Sequence, residues 1–66
     1  MPAVELQISL TSEERTLLIE LLERERGELP AEIHHTRTPS THDQLRARLE
    51  LVERLLSRLQ TAAAQG

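Results

Sequence analysis

Residues Leu45 to Ala63, LRARLELVERLLSRLQTAA, constrain this chain more than any other stretch. Apolar residues recur at Leu45, Leu49, Val52, Leu56, Leu59 and Ala63. That 4-3-4-3-4 spacing is the heptad seam of a helix packed lengthwise on another helix, as in a coiled coil. Leu51, Leu55 and Ala62 flank the seam on one side. They widen the apolar face to roughly 160°, against the ~100° stripe of an ordinary surface helix. A face that wide calls for more than one neighbour.

The size of the chain sharpens the demand. Sixty-six residues read as a single domain over 1–66, and a domain this small buries only about 60% of its unfolded surface. Disulfides, metals or oligomerisation are the usual reinforcement. The chain has no Cys, which rules out disulfides and thiolate zinc sites, and no Phe, Tyr or Trp. Its core must come from thirteen Leu, three Ile and two Val. Self-association is the reinforcement that remains.

Upstream, residues 4–10, VELQISL, alternate strictly. Val4, Leu6, Ile8 and Leu10 fall on one side; Glu5, Gln7 and Ser9 fall on the other. Period 2 is the pattern of a half-buried strand. A lone strand in a helical chain either pairs with the same strand of a second subunit or lies extended over the helices as an arm. Both readings stay open at this stage.

Thr11 with Glu14 then reads as a capping box, with Glu13 and Glu14 at the positive end of the helix dipole. Leu17, Leu18, Leu21 and Leu22 supply an apolar face, with Ile19 to one side. Gly27 and Pro30 could end this helix. The apolar phase nevertheless survives from Leu18 and Leu22 to Leu29 and Ile33, so one helix over about 12–35 is expected, kinked near 27–30. Thr36 to Ser40 is the clearest turn. Thr38 and Pro39 read as N-cap and N1 of a second helix over about 39–62, with Thr41 and Gln44 a further capping box. So short a connection makes the helices antiparallel neighbours. The expected fold is an all-α helical hairpin with a strand-like arm, dimerising to a four-helix bundle. Leu18, Leu22, Leu29 and Ile33 would meet Leu45, Leu49, Val52, Leu56 and Leu59 in the core. Leu17, Leu21, Leu51 and Leu55, with Val4, Leu6 and Ile8 of the arm, would form the interface.

The segments LTSEERTLLIELLE, EIHHT and LRARLELVERLL resemble a widespread group of small bacterial proteins of unknown function. These share an LTxEE start (here Leu10 to Glu14) and an EIxxT segment (Glu32 to Thr36) before a turn. The resemblance implies a helical hairpin and supplies no activity. Arg and Ala abundance without Lys also fits a bacterial, GC-rich coding sequence.

Several chemistries can be weighed against that picture. Glu32 and His35 have the E-x-x-H spacing of di-iron carboxylate helices, and His42 begins the next helix near the same end. Such bundles need further carboxylates at the same level. Glu50 and Glu53 lie two or three turns away, so the histidines read as a polar hairpin end and no cofactor is expected. No Gly-rich loop or nucleophile motif points to an enzyme.

A strand followed by two helices suggests ribbon-helix-helix DNA binding, but the outward strand residues are Glu5, Gln7 and Ser9. Arg46, Arg48, Arg54 and Arg58 are interrupted by Glu50 and Glu53, the pattern of a solvated face rather than an RNA surface. A net charge of −3 also argues against nucleic acid. No run of 18 apolar residues would span a membrane, and no positive segment precedes an apolar one as in a signal peptide. A cytoplasmic, non-enzymatic protein that associates with itself is the expectation. An adaptor docking its leucine stripe on a larger partner is the alternative, and a ribbon-helix-helix regulator the next.

Overall fold

The computed structural model describes residues 4–65, with side chains through Thr61. Two helices account for most of it: α1, Ser12–His35, and α2, Pro39–Gln65, packed against each other across a three-residue connection. Residues 4–11 form no helix, and no strand occurs among the described residues. The flanking Ala62 and seam residue Ala63 lie outside the described side chains, and Gly66 outside the described residues. No helix among the described residues is long and apolar enough to cross a membrane.

The first helix starts where its capping box requires. The Thr11 hydroxyl accepts from the Glu14 amide at 3.1 Å, and the Glu14 carboxylate accepts from the Thr11 amide at 2.8 Å. Two of the four amides that lack helical partners are thereby satisfied. At the other end, the Thr36 hydroxyl donates to the Glu32 carbonyl at 2.6 Å. Its amide donates to the Glu32 and Ile33 carbonyls, closing the last turn before the chain reverses.

Between these ends α1 runs unbroken through Gly27 and Pro30. Pro30 has no amide to offer the Arg26 carbonyl, so continuity costs a hydrogen bond. Burial of Leu29 on one side and the half-buried Ile33 on the other maintains it. Gly27 is exposed, has no left-handed backbone angle, and faces open space where a Cβ would sit. Gly27→Ala is therefore expected to stabilise the protein by about 0.5–1 kcal/mol, read as a higher midpoint in urea. A lower midpoint would mean the helix needs flexibility there.

The second helix begins at Pro39, with the His42 amide donating to the Thr38 carbonyl at 2.9 Å. Thr41 lies inside this first turn, so the further capping box expected at Thr41 and Gln44 does not open a helix. The helix also extends past Ala62, to Gln65.

Leu29, Val52 and Leu56 are the buried residues among those described, with Ile19, Leu22, Leu45 and Leu49 packed around them. The α2 seam thus faces α1 as its heptad spacing requires. On α1 the inner row is Arg15, Ile19, Leu22, Leu29 and Ile33. Ile19 takes the place expected of Leu18, which is 36% exposed. Leu17, Leu18 and Ile19 are consecutive, so hydrophobicity alone allows a rotation of about 100° in choosing which one turns inward.

Candidate interaction face

A layer two helices wide has two broad faces, and here they differ in chemistry. The Arg48 guanidinium donates to the Glu25 carboxylate across the helix pair and marks one face. Leu21 and Leu18 lie one and two turns before Glu25; Leu51 and Leu55 lie one and two turns after Arg48. In antiparallel helices these displacements run the same way, so all four leucines fall on one face, on the same side of the ion pair. Leu21, Leu51 and Leu55 are 52%, 53% and 46% exposed. Leu17, at 55%, lies about 40° further round α1 than Leu21. It sits at the margin of the face rather than its centre.

The opposite face is polar. A shallow depression there is lined by Arg26, Glu53, Ser57, Gln60 and Thr61 over the edge of Leu56. The hairpin is therefore two-sided, and the half-exposed leucines Leu21, Leu51 and Leu55 share one side.

The arm runs along the leucine side. Together with Leu18, Leu22, Leu55, Arg58 and Leu59, residues 6–10 enclose an open groove of about 830 Å³. Val4 and Leu6 continue past Leu51 and Leu55. The arm nonetheless does not lay its apolar side chains down: Val4, Leu6 and Ile8 are 85%, 84% and 76% exposed. In the single chain the segment is thus an extended arm beside its own helices that leaves Val4, Leu6 and Ile8 uncovered.

Electrostatics frame the face at its turn-proximal end. The Glu25 hydrogen bond and then the Glu25 charge push the Arg48 guanidinium above its already high ordinary range, against the opposing effect of desolvation, with the charge of Glu32 contributing least. The guanidinium stays charged on the exposed side of the helix pair, held to Glu25, with Glu32 one heptad further along α1. At the open end, Arg15 lies on the inner row near Ile8, Leu10 and Leu59. Its Nε is buried with no hydrogen-bond partner among the described residues. That donor is one more group the single hairpin leaves unsatisfied near the exposed arm.

The other candidate residues do not converge. Glu32 and His35 are exposed and His42 is half-buried. Among the described residues no three or more His, Cys, Asp or Glu side chains gather to hold a metal ion. His35 instead meets the neighbouring His34 ring edge-on at 5.5 Å. What Glu32 does in the fold is accept at its carbonyl from Thr36 and contribute charge toward Arg48. The cross-helix pair of Glu25 and Arg48 carried no signal in the sequence, because its partners are 23 residues apart and meet only through the hairpin register. No family model matches the chain, and neither a curated protein nor a solved structure matches it.

Proposed function

We propose that this chain is a non-enzymatic interaction protein whose primary partner is a second copy of itself. Two hairpins bring their leucine faces together as a four-helix bundle, burying Leu21, Leu51 and Leu55 with Leu17 at the rim and the arm residues Val4, Leu6 and Ile8. The carrying observation is the segregation of half-exposed leucines onto one broad face while the other face is polar. Scattered single leucines on a surface are ordinary, whereas a contiguous apolar face marks an interaction site.

The extent of the surface supports the reading. The chain exposes 5855 Å², whereas a compact protein of this mass exposes about 4,200 Å². Its radius of gyration is 14.1 Å, against about 11 Å for a compact chain of this length. The excess of about 1,600 Å² per chain is twice the ~800 Å² per partner of a standard interface. A symmetric dimer with an isologous interface absorbs it with no second protein.

The test is thermal unfolding followed by circular dichroism at protein concentrations two decades apart. Folding coupled to dimerisation makes the midpoint rise with concentration. A cooperative midpoint that stays fixed would contradict the proposal. Weak helical signal at both concentrations would instead transfer the leucine face to a larger partner protein.

A further inference from the structure

We infer that in the dimer the two arms pair with each other as an antiparallel two-stranded ribbon centred on Gln7, so that Gln7 of one chain lies opposite the partner's Gln7. This rests on the self-association proposed above and adds to it a site and a register. Three observations carry it. The segment alternates perfectly from Val4 to Leu10, a pattern that suits a strand with one covered face. Its backbone is not taken up in a strand or a helix, and Val4, Leu6 and Ile8 are the most exposed large apolar side chains among the described residues. It also runs beside Leu51 and Leu55, so a second hairpin meeting that face brings its own arm to the same place.

The register follows from the residues. Antiparallel pairing across a two-fold axis places residue i opposite residue j with i + j constant. An odd constant sets apolar opposite polar positions and splits the leucines between two faces, as any one-residue slip does. Among even constants, centring on residue 7 pairs the whole of 4–10. It sets Leu6 against the partner's Ile8 and Val4 against the partner's Leu10. It also sets Glu5 against the partner's Ser9, whereas centring on residue 5 would oppose two carboxylates, which is unfavourable. All eight aliphatic side chains then share one face of the ribbon, turned toward the groove at Leu18, Leu22, Leu55 and Leu59.

The absence of Cys makes the test clean. Single-cysteine variants Glu5→Cys, Gln7→Cys and Ser9→Cys of the full chain are oxidised under mild conditions, with solution mass measured on each reduced sample. Directly opposed residues in an antiparallel pair have Cα atoms about 4.5–5.5 Å apart, inside the disulfide range. Residues two positions from the centre are about 14 Å from their own copies. Disulfide formation is expected at least tenfold faster at position 7 than at 5 or 9. A maximum at 5 or 9, or uniformly slow oxidation in samples that remain dimeric, would overturn the ribbon and leave the four-helix dimer standing. Monomeric mass for all three reduced variants would overturn both.

Discussion

Leu51→Glu combined with Leu55→Glu is expected to convert the protein to a monomer at concentrations where the parent chain is dimeric. The two leucines meet different environments in one hairpin and between two. In the single hairpin both side chains are about half exposed, and substitutions at such positions usually change stability by no more than about 0.5 kcal/mol. Between two hairpins they would be covered, and a symmetric dimer would carry four new carboxylates in an apolar seam. Burying unpaired charge costs several kcal/mol, so the dissociation constant is expected to rise at least 10³-fold. Size exclusion with light scattering reads the outcome. The monomer keeps helical signal if the small hairpin core suffices alone, and loses it if association is needed for folding. A double variant that remains an intact dimer would show that the seam lies elsewhere.

The adjacent residue tests the other half of the account. Leu56 is 1% exposed and packs with Leu29 and Val52 inside the hairpin. Leu56→Ala is expected to cost about 2–5 kcal/mol. A core of this size rarely supplies more than about 3–5 kcal/mol, so the variant should be largely unfolded at room temperature. Because the lost contacts are within one chain, the loss relative to the parent should be the same at both protein concentrations. Leu55→Ala, one residue away on the exposed face, should show the opposite pattern: a smaller loss of stability, and a solution mass that falls to one chain at concentrations where the parent is still two. Urea unfolding of both at two concentrations makes the comparison. A loss of stability in Leu55→Ala as large as that in Leu56→Ala would dissolve the distinction between core and interface leucines.

Much of the hairpin was legible before any coordinates because its signals are local. The Thr11–Glu14 box, the Thr38–Pro39 start and the 4-3 spacing of α2 each depend on residues within one or two turns. The phase kept from Leu22 to Leu29 and Ile33 allowed α1 to be carried through Gly27 and Pro30. Choices between adjacent apolar residues were less legible. Ile19 rather than Leu18 turns inward, because the direction of α1 is fixed by its whole inner row and not by the Leu17–Leu18–Ile19 cluster. The Glu25–Arg48 pair was invisible for a different reason: it depends on the register of two helices. The arm could be read as extended from its alternation, but what it lies against is tertiary information. The E-x-x-H spacing at Glu32 and His35 illustrates the converse, since spacing on one helix says nothing of whether further ligands arrive from elsewhere.

Apolar chemistry distributed on one side of a two-helix layer is the link from sequence to proposed role. The 4-3 seam of α2 and the inner row of α1 fold the hairpin. The residues left over, Leu18, Leu21, Leu51 and Leu55 with the arm, give it something to bind. Solution mass by light scattering after size exclusion, at two protein concentrations, tests this most directly. The account predicts a mass of two chains, close to twice 7.5 kDa, that persists on dilution until the dissociation constant is reached. A folded monomer of 7.5 kDa at both concentrations would contradict it.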